Sequence, residues 1–249
     1  MEIPETRAIV ARMDHWLGGL LEHTGYPELR QEGGEHVYRF SSQTSSAIEV
    51  SKLVRIVSGL NACLSLADSG YVAETASLLR TIRDFASDIL FVSEGHQRKE
   101  GPTSDQRRFA EDFFAVPPSS VDELESQEKR SWLRRDEIYK AHKRLGEGIK
   151  GVDIEALLSQ GRLLDVLMNG YIHGGYRESM DLYNGLTHRF ETRGISSEQH
   201  DSAVGKNLAL MVHYCLVPFA FMAMERGLND LGEEIMEAQV SLQESPEYQ

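Results

Sequence analysis

The sequence predicts an all-α protein: a single helical bundle of about seven to nine helices around one antiparallel helical hairpin. Three observations carry this expectation. Apolar residues recur at helical spacing through most of the chain. No stretch shows the sustained apolar–polar alternation of a half-buried strand. Two strongly apolar helical stretches, 46–68 and 71–92, are parted only by Ser69 and Gly70, a link short enough to force antiparallel neighbours. With 249 residues, 41% of them hydrophobic, the chain is long enough for one sizeable core and near the upper size for one. The expected organisation is therefore one domain over 1–249, with frayed ends at about 1–5 and 243–249.

From the N-terminus, residues 7–23 place Ile9, Met13, Trp16, Leu17, Leu20 and Leu21 on one stripe, with Gly25 as the stop. Residues 26–42 are rich in glycine and charge and read as a loop. Ser46-Ala-Ile-Glu49 is a capping-box pattern that opens the first helix of the hairpin. In the second, 71–92, apolar side chains cover more than half the circumference at 100° per residue, so the helix must be largely buried. Arg80, Arg83, Asp84, Ser87 and Asp88 form its one polar strip. Residues 93–103 read as a loop and 104–115 as a short helix ended by Pro117-Pro118. The segment 119–145 is charged and helical, with the chain's best basic patch at Lys129, Arg130, Arg134, Arg135, Lys140, Lys143 and Arg144. Such runs are ordinarily solvated faces. A turn at 146–151 has neither a preceding strand nor the Gly-x-x-x-x-Gly-Lys-Ser/Thr pattern of a phosphate loop. Helices are expected at 153–169, at 197–227 with a bend near Pro218, and at 233–242.

Composition narrows the function classes. The formal net charge is -13, which disfavours non-specific binding of phosphate backbones by the surface as a whole while leaving room for a local basic cleft. From Glu225 onward seven acids face one arginine. The 2 cysteines, Cys63 and Cys215, lie in apolar helical patterns, which fits a reducing cytoplasm better than a disulfide framework. The acidic N-terminus does not read as a secretory signal. The uncharged stretch 208–224 contains His213, Tyr214 and Pro218 and reads as a buried core helix rather than a membrane span.

The chemistry-bearing residue types crowd into Tyr171-Ile172-His173-Gly174-Gly175-Tyr176-Arg177. A histidine can exchange a proton near neutrality, and an arginine four residues on can hold a phosphate. Tyr171 and Tyr176, with Tyr183 shortly after, are candidate binding residues. Arg80 and Asp84, at i and i+4, read either as an ordinary helix-face salt bridge or as a fixed pair presented to a cavity. His173 reads either as a base or as a structural residue closing the glycine turn. His213 reads as a satisfied core residue. No Glu-x-x-His, Cys-x-x-Cys or Gly-x-Ser-x-Gly pattern occurs, so neither a carboxylate di-metal site nor a serine triad is indicated. A metal at Asp84, Asp88 and His173 rests on no spacing signal, and no cofactor is expected.

The pairing of LLRTIRDFASDILFV with YIHGGYRESMDLYNG, then RFETRG and a long apolar helix, resembles a family of uncharacterised helical bacterial proteins with an Arg-x-x-x-Asp/Glu helix and a Tyr-x-His-Gly segment. The resemblance covers roughly 46–227. That layout is similar to the HEPN superfamily, whose active members are metal-independent RNases of toxin–antitoxin and phage-defence systems, usually dimeric. The superfamily's Arg-x4–6-His signature is met in spacing by Arg193 and His200, although Gly194 stands where a polar residue is usual, and by Arg30 and His36 in the expected loop. The resemblance implies a ribonuclease in which His173 or His200 acts as base, Arg177 or Arg193 holds phosphate, and Arg80 with Asp84 orients the site. The alternative is a non-enzymatic helical interaction or ligand-sensing module with a structural Arg/Asp/His network. The expected partners are RNA in a local cleft, a second copy of the chain or another protein, and no membrane.

Overall fold

The computed structural model describes residues 2–32, 34–115, 135–147, 154–195 and 197–248. Among these residues nine helices form one packed body. They are α1 (Pro4–Thr24), α2 (Ser45–Asp68), α3 (Val72–Gln97), α4 (Ser104–Phe114), α5 (Arg135–Glu147), α6 (Ile154–Ile172), α7 (Tyr176–Met180), α8 (Glu198–Glu225) and α9 (Asn229–Glu244). Two small antiparallel pairs accompany them: β1 (Glu28–Glu32) with β2 (Glu35–Arg39), and β3 (Tyr183–Asn184) with β4 (Arg189–Phe190). The first pair corrects the expected loop at 26–42. Its strands bury no face, so they leave no alternation to read. The usable signal was the Gly33-Gly34 pair in the sequence between them.

The α2–α3 hairpin is the centre of the bundle, and α3 packs against α2, α4, α5, α6 and α8. Its first helix is capped by the Thr44 side chain on the Ala47 N–H, not by the expected Ser46/Glu49 box. Glu49 instead lies buried, taking a 2.7 Å hydrogen bond from Ser93 and a 2.8 Å bond from Arg226. An isolated buried carboxylate would be costly, and these two donors satisfy it. The second helix runs five residues past the expected end. Its extension is held by Glu94, which receives Arg144 of α5 at 2.7 Å and Gln106 of α4 at 2.6 Å. Burial alone would raise the Glu94 carboxyl, but these donors hold it below the ordinary range.

Leucine, isoleucine and methionine side chains from α1, α2, α3, α8 and α9 fill one core, with Trp16 and Phe219 in edge contact at its centre. Helices α2 and α8 are long and apolar enough to cross a membrane by length and composition alone. In α8, 78% of the most apolar window is buried inside the bundle, as a core helix requires. The helix is continuous through Pro218. The chain ends, expected to fray, are tied together: Glu247 accepts the backbone N–H groups of Glu5 and Thr6. Ile3 is buried as well. Of the charged segment expected at 119–145, the described residues, from Arg135 on, form α5. Lys129, Arg130 and Arg134 of the expected basic patch lie outside the described residues, as does most of the expected turn at 146–151.

Candidate functional site

The candidate residues fall into two places, one inside the bundle and one on its surface. Inside, Arg80 is only 4% exposed. It pairs with Asp84 one turn on and, through Nε at 3.2 Å, with Asp165 of α6. Arg83, beside it on α3, reaches the other Asp165 oxygen at 3.1 Å. One carboxylate therefore clamps two arginines and joins α3 to α6. Neither sequence reading of Arg80 and Asp84 anticipated this, since both omitted Asp165. The missed signal was an acid on the same side of α6 as Leu158, Leu164 and Met168, all of which are buried. An acid placed there needs a cation, and α3 offers two.

The polar strip continues along α3. Ser87 shares a 3.2 Å hydrogen bond with the hydroxyl of Tyr214 on α8. His142 of α5 donates from Nε2 to the Ser87 carbonyl at 2.9 Å. Burial pushes the His142 imidazole down to about 4, and the nearby Arg83 charge acts in the same direction. Asp88 takes Lys52 of α2 at 2.8 Å, and that ammonium also sits over the rings of Phe85, Phe109 and Phe113. Burial raises the Asp88 carboxyl despite its lysine. The strip is thus a row of interhelical clamps. Some of its groups are bound by charge proximity alone: Arg80 Nε and Nη1, Arg83 Nε and Asp165 Oδ1 are buried without a well-angled hydrogen bond.

The surface place is the end of α6 together with the turn and short helix after it. Helix α6 runs on through Tyr171 and Ile172, and the chain turns at His173-Gly174, where Gly174 has φ 59°. The Glu178 carboxylate packs over Gly170 and Gly175, where an added Cβ would approach it to 2.3 Å; the glycines are there for that contact. Tyr171 donates to Asp181 at 2.9 Å. Burial, then this bond, pushes its phenol up to about 12, so it stays a donor. His173 and Arg177 are exposed, and Tyr176 is 83% exposed. Tyr183 packs edge-on against Phe190 at 5.2 Å and shares a 3.3 Å hydrogen bond with His188.

The Arg193 and His200 pair lies next along the chain. His200 stands in the first turn of α8, where its ring and backbone N–H both meet the Ser197 cap, at 2.9 and 3.2 Å. Arg193 is exposed in the preceding loop. Gly194 has φ 93°, and a Cβ there would meet the Ser69 carbonyl at 2.1 Å. No polar side chain fits, because this loop lies against the backbone of the hairpin turn and Ile195 donates to the Gly70 carbonyl at 2.9 Å. Arg30 and His36 face each other's neighbours on the exposed β1–β2 pair.

The structure therefore joins Arg80 to Asp84 and Tyr171 to its own turn, but does not bring His173 to the Arg80 clamp. His173 follows Asp165 by eight residues, about 12 Å along a helix. Among the described residues no three His, Cys, Asp or Glu side chains group to hold a metal ion. His213 is held by Gln160, Gln239 and Gln243 at 3.1, 3.3 and 2.8 Å, as a core histidine should be. Comparison with protein-family models, with curated proteins and with solved structures gives no match to the chain.

Proposed function

We propose that the chain is a helical interaction module. Its Arg80/Arg83/Asp84/Asp165 network is structural, and 171–193 is its contact surface for a protein partner with apolar and acidic groups. One observation carries this reading. Tyr176, Leu186 and Phe190 are 83%, 95% and 53% exposed in the same stretch as the exposed Arg177, Arg189 and Arg193. Exposed aromatics interleaved with arginine are the composition of interface hot spots. The acids of the stretch are turned to local use: Asp181 binds Tyr171, Glu191 binds Asn184 at 2.9 Å, and Glu178 covers the glycines. The surface offered to a partner is consequently more basic than the chain's overall charge of -13.

Replacing His173, Tyr176 and Arg177 together by alanine is expected to leave the melting temperature unchanged, since these side chains are exposed. The same variant, immobilised, loses proteins from the native extract that the unsubstituted chain retains. Equal retention by both chains contradicts the reading.

A second reading, the HEPN-like metal-independent ribonuclease, is favoured by His173 and Arg177 standing exposed within four residues on a turn braced by Tyr171 and Asp181. His173 would take the 2′-hydroxyl proton while the freed oxygen attacks the adjacent phosphorus and the 5′-oxygen leaves, taking a proton from water to become the 5′-hydroxyl. Arg177 would hold the phosphate. The expected outcome under this reading is RNA cleavage in EDTA that His173→Ala abolishes and His200→Ala spares, because His200 is engaged by the α8 cap. Absence of cleavage, or cleavage unchanged by His173→Ala, removes it.

A further inference from the structure

Helix α9 turns Gly232, Ile235, Ala238 and Leu242 inward against α8 and α1. Its outer face is a shallow groove of about 510 Å³ lined by Glu233, Met236, Glu237, Val240, Ser241 and Glu244. Met236 and Val240 are 39% and 52% exposed there. The helix contains no lysine and no arginine. Among the described residues, Glu233, Glu237 and Glu244 meet no cation and accept no hydrogen bond, unlike Glu234 on the flank, which takes Arg12 and Trp16. Ser241 donates to Glu5 at 2.7 Å and so brings a fourth carboxylate to the rim.

This arrangement works against the helix that carries it. Glu233 and Glu237 are like charges at i and i+4. Glu244 stands in the last turn, where the helix dipole disfavours an anion. Among the described residues no cation offsets either effect, so the face does not serve the stability of the free chain. An exposed apolar pair set among unpaired carboxylates is complementary to a surface that carries apolar side chains flanked by cations.

We propose that the outer face of α9 seats a cationic amphipathic helix of another protein, with apolar side chains over Met236 and Val240 and lysine or arginine on Glu233, Glu237 and Glu244. Charge selects the occupant. The α9 of a second copy would set carboxylates against carboxylates, and nucleic acid or an anionic membrane would be repelled. Backbone chemistry selects its conformation. The N–H and C=O groups of α9 are spent inside the helix, so an extended segment laid on it would bring unpaired backbone groups to the apolar centre. A helix brings its own already paired, and its apolar stripe fits a groove of this kind. Glu233 to Glu244 spans about 16 Å, so about three turns of the partner cover the face. Such a contact is well below the roughly 800 Å² per partner of a stable interface, which makes the binding weak and salt-sensitive. It uses a different surface from 171–193, and its failure leaves that reading standing.

The probe is a capped, fluorescently labelled peptide of about 14 residues, with leucine at i, i+4, i+7 and i+11 and lysine or alanine elsewhere. Its control has the same composition with the leucines spread round the helix. Anisotropy titration is expected to show the patterned peptide bound, and the control bound at least about tenfold more weakly. The pair Met236→Ser, Val240→Ser and the pair Glu237→Gln, Glu244→Gln are each expected to weaken the patterned peptide at least about tenfold. Glu22→Gln with Glu35→Gln removes the same charge from exposed positions elsewhere and is expected to change the affinity less than about twofold. The Glu237→Gln, Glu244→Gln chain is expected to melt no lower than the unsubstituted one, because it relieves repulsion. No binding of the patterned peptide, equal binding of both peptides, equal loss from the two charge pairs, or a lowered melting temperature for the groove pair overturns the inference. Self-association of the chain that Met236→Ser, Val240→Ser abolishes also overturns it, since the occupant would then be a second copy.

Discussion

At the scale of single residues, Asp165 matters most. It neutralises two arginines that are largely withdrawn from water. Removing one partner of a buried pair leaves the other charge uncompensated, at about 3–5 kcal/mol. Asp165→Ala is expected to lower the unfolding free energy by roughly 3 kcal/mol in urea titration. The triple change Asp165→Leu, Arg80→Met, Arg83→Met is expected to recover most of that loss, because no buried charge is then left alone. A loss below about 0.5 kcal/mol for Asp165→Ala, the range of ordinary surface changes, would show that the pairs are solvated.

The buried histidines make a second prediction at this scale. Burial pushes both His142 and His213 down to about 4, whereas the unfolded chain's imidazoles titrate near 6.5. Between those values the unfolded chain binds protons that the folded chain refuses, so stability falls as pH drops from about 6.5 toward 4. Above that window these groups contribute no slope. The loss is roughly 2–3 kcal/mol per histidine by pH 4. A His142→Gln, His213→Gln chain is expected to melt with a shallower pH dependence across the window, and an unchanged slope would contradict the burial of both rings.

At the scale of elements, the helices were legible wherever one face alternated with solvent at the helical period, and least legible where polar groups did the packing. Residues 46–68 and 71–92 announced a buried hairpin through their apolar coverage alone. The end of α3 was not visible, because Ser93 and Glu94 look like loop residues until Glu49, Gln106 and Arg144 are seen to satisfy them. The β1–β2 pair was hidden because it buries nothing. Helix α6 was readable as a helix, but not which of its leucines lie inside: periodicity gives two apolar arcs there, and only the position of α3 distinguishes them. The site was half legible. The glycine turn in 171–177 and the Arg80–Asp84 pair could be read from residue types and spacing, but not whether His173 faces solvent or the Arg80 strip, and Asp165, the second partner of Arg80, carried no motif. The loop before α8 gives the prediction of this scale. Gly194→Ala requires both a left-handed alanine and a retreat of the Ser69 carbonyl, and is expected to cost at least about 1–3 kcal/mol of stability. A neutral result by thermal melting would mean that the loop is not seated on the hairpin turn.

At the scale of the molecule, the clamps around α3 share one consequence. Asp165 joins α6, Glu94 joins α4 and α5, Lys52 joins α2, and Tyr214 joins α8 to a single central helix. A body stapled in this way presents its surface segments in fixed relation, and that rigidity lowers the ordering cost of recognition. The proposed contact surface at 171–193 hangs from α6 and closes on the α2–α3 turn through Ile195, so both its ends are anchored to the clamped core. The central claim is that this anchored surface meets a specific partner. The most direct measurement is site-specific photo-crosslinking in living cells, with the reactive side chain at position 176 and, as control, at position 26, where Tyr26 is 61% exposed and far along the chain from 171–193. The account predicts a discrete crosslinked species from position 176, lost when His173 and Arg177 are replaced by alanine, and none from position 26. The same diffuse pattern from both positions would contradict it.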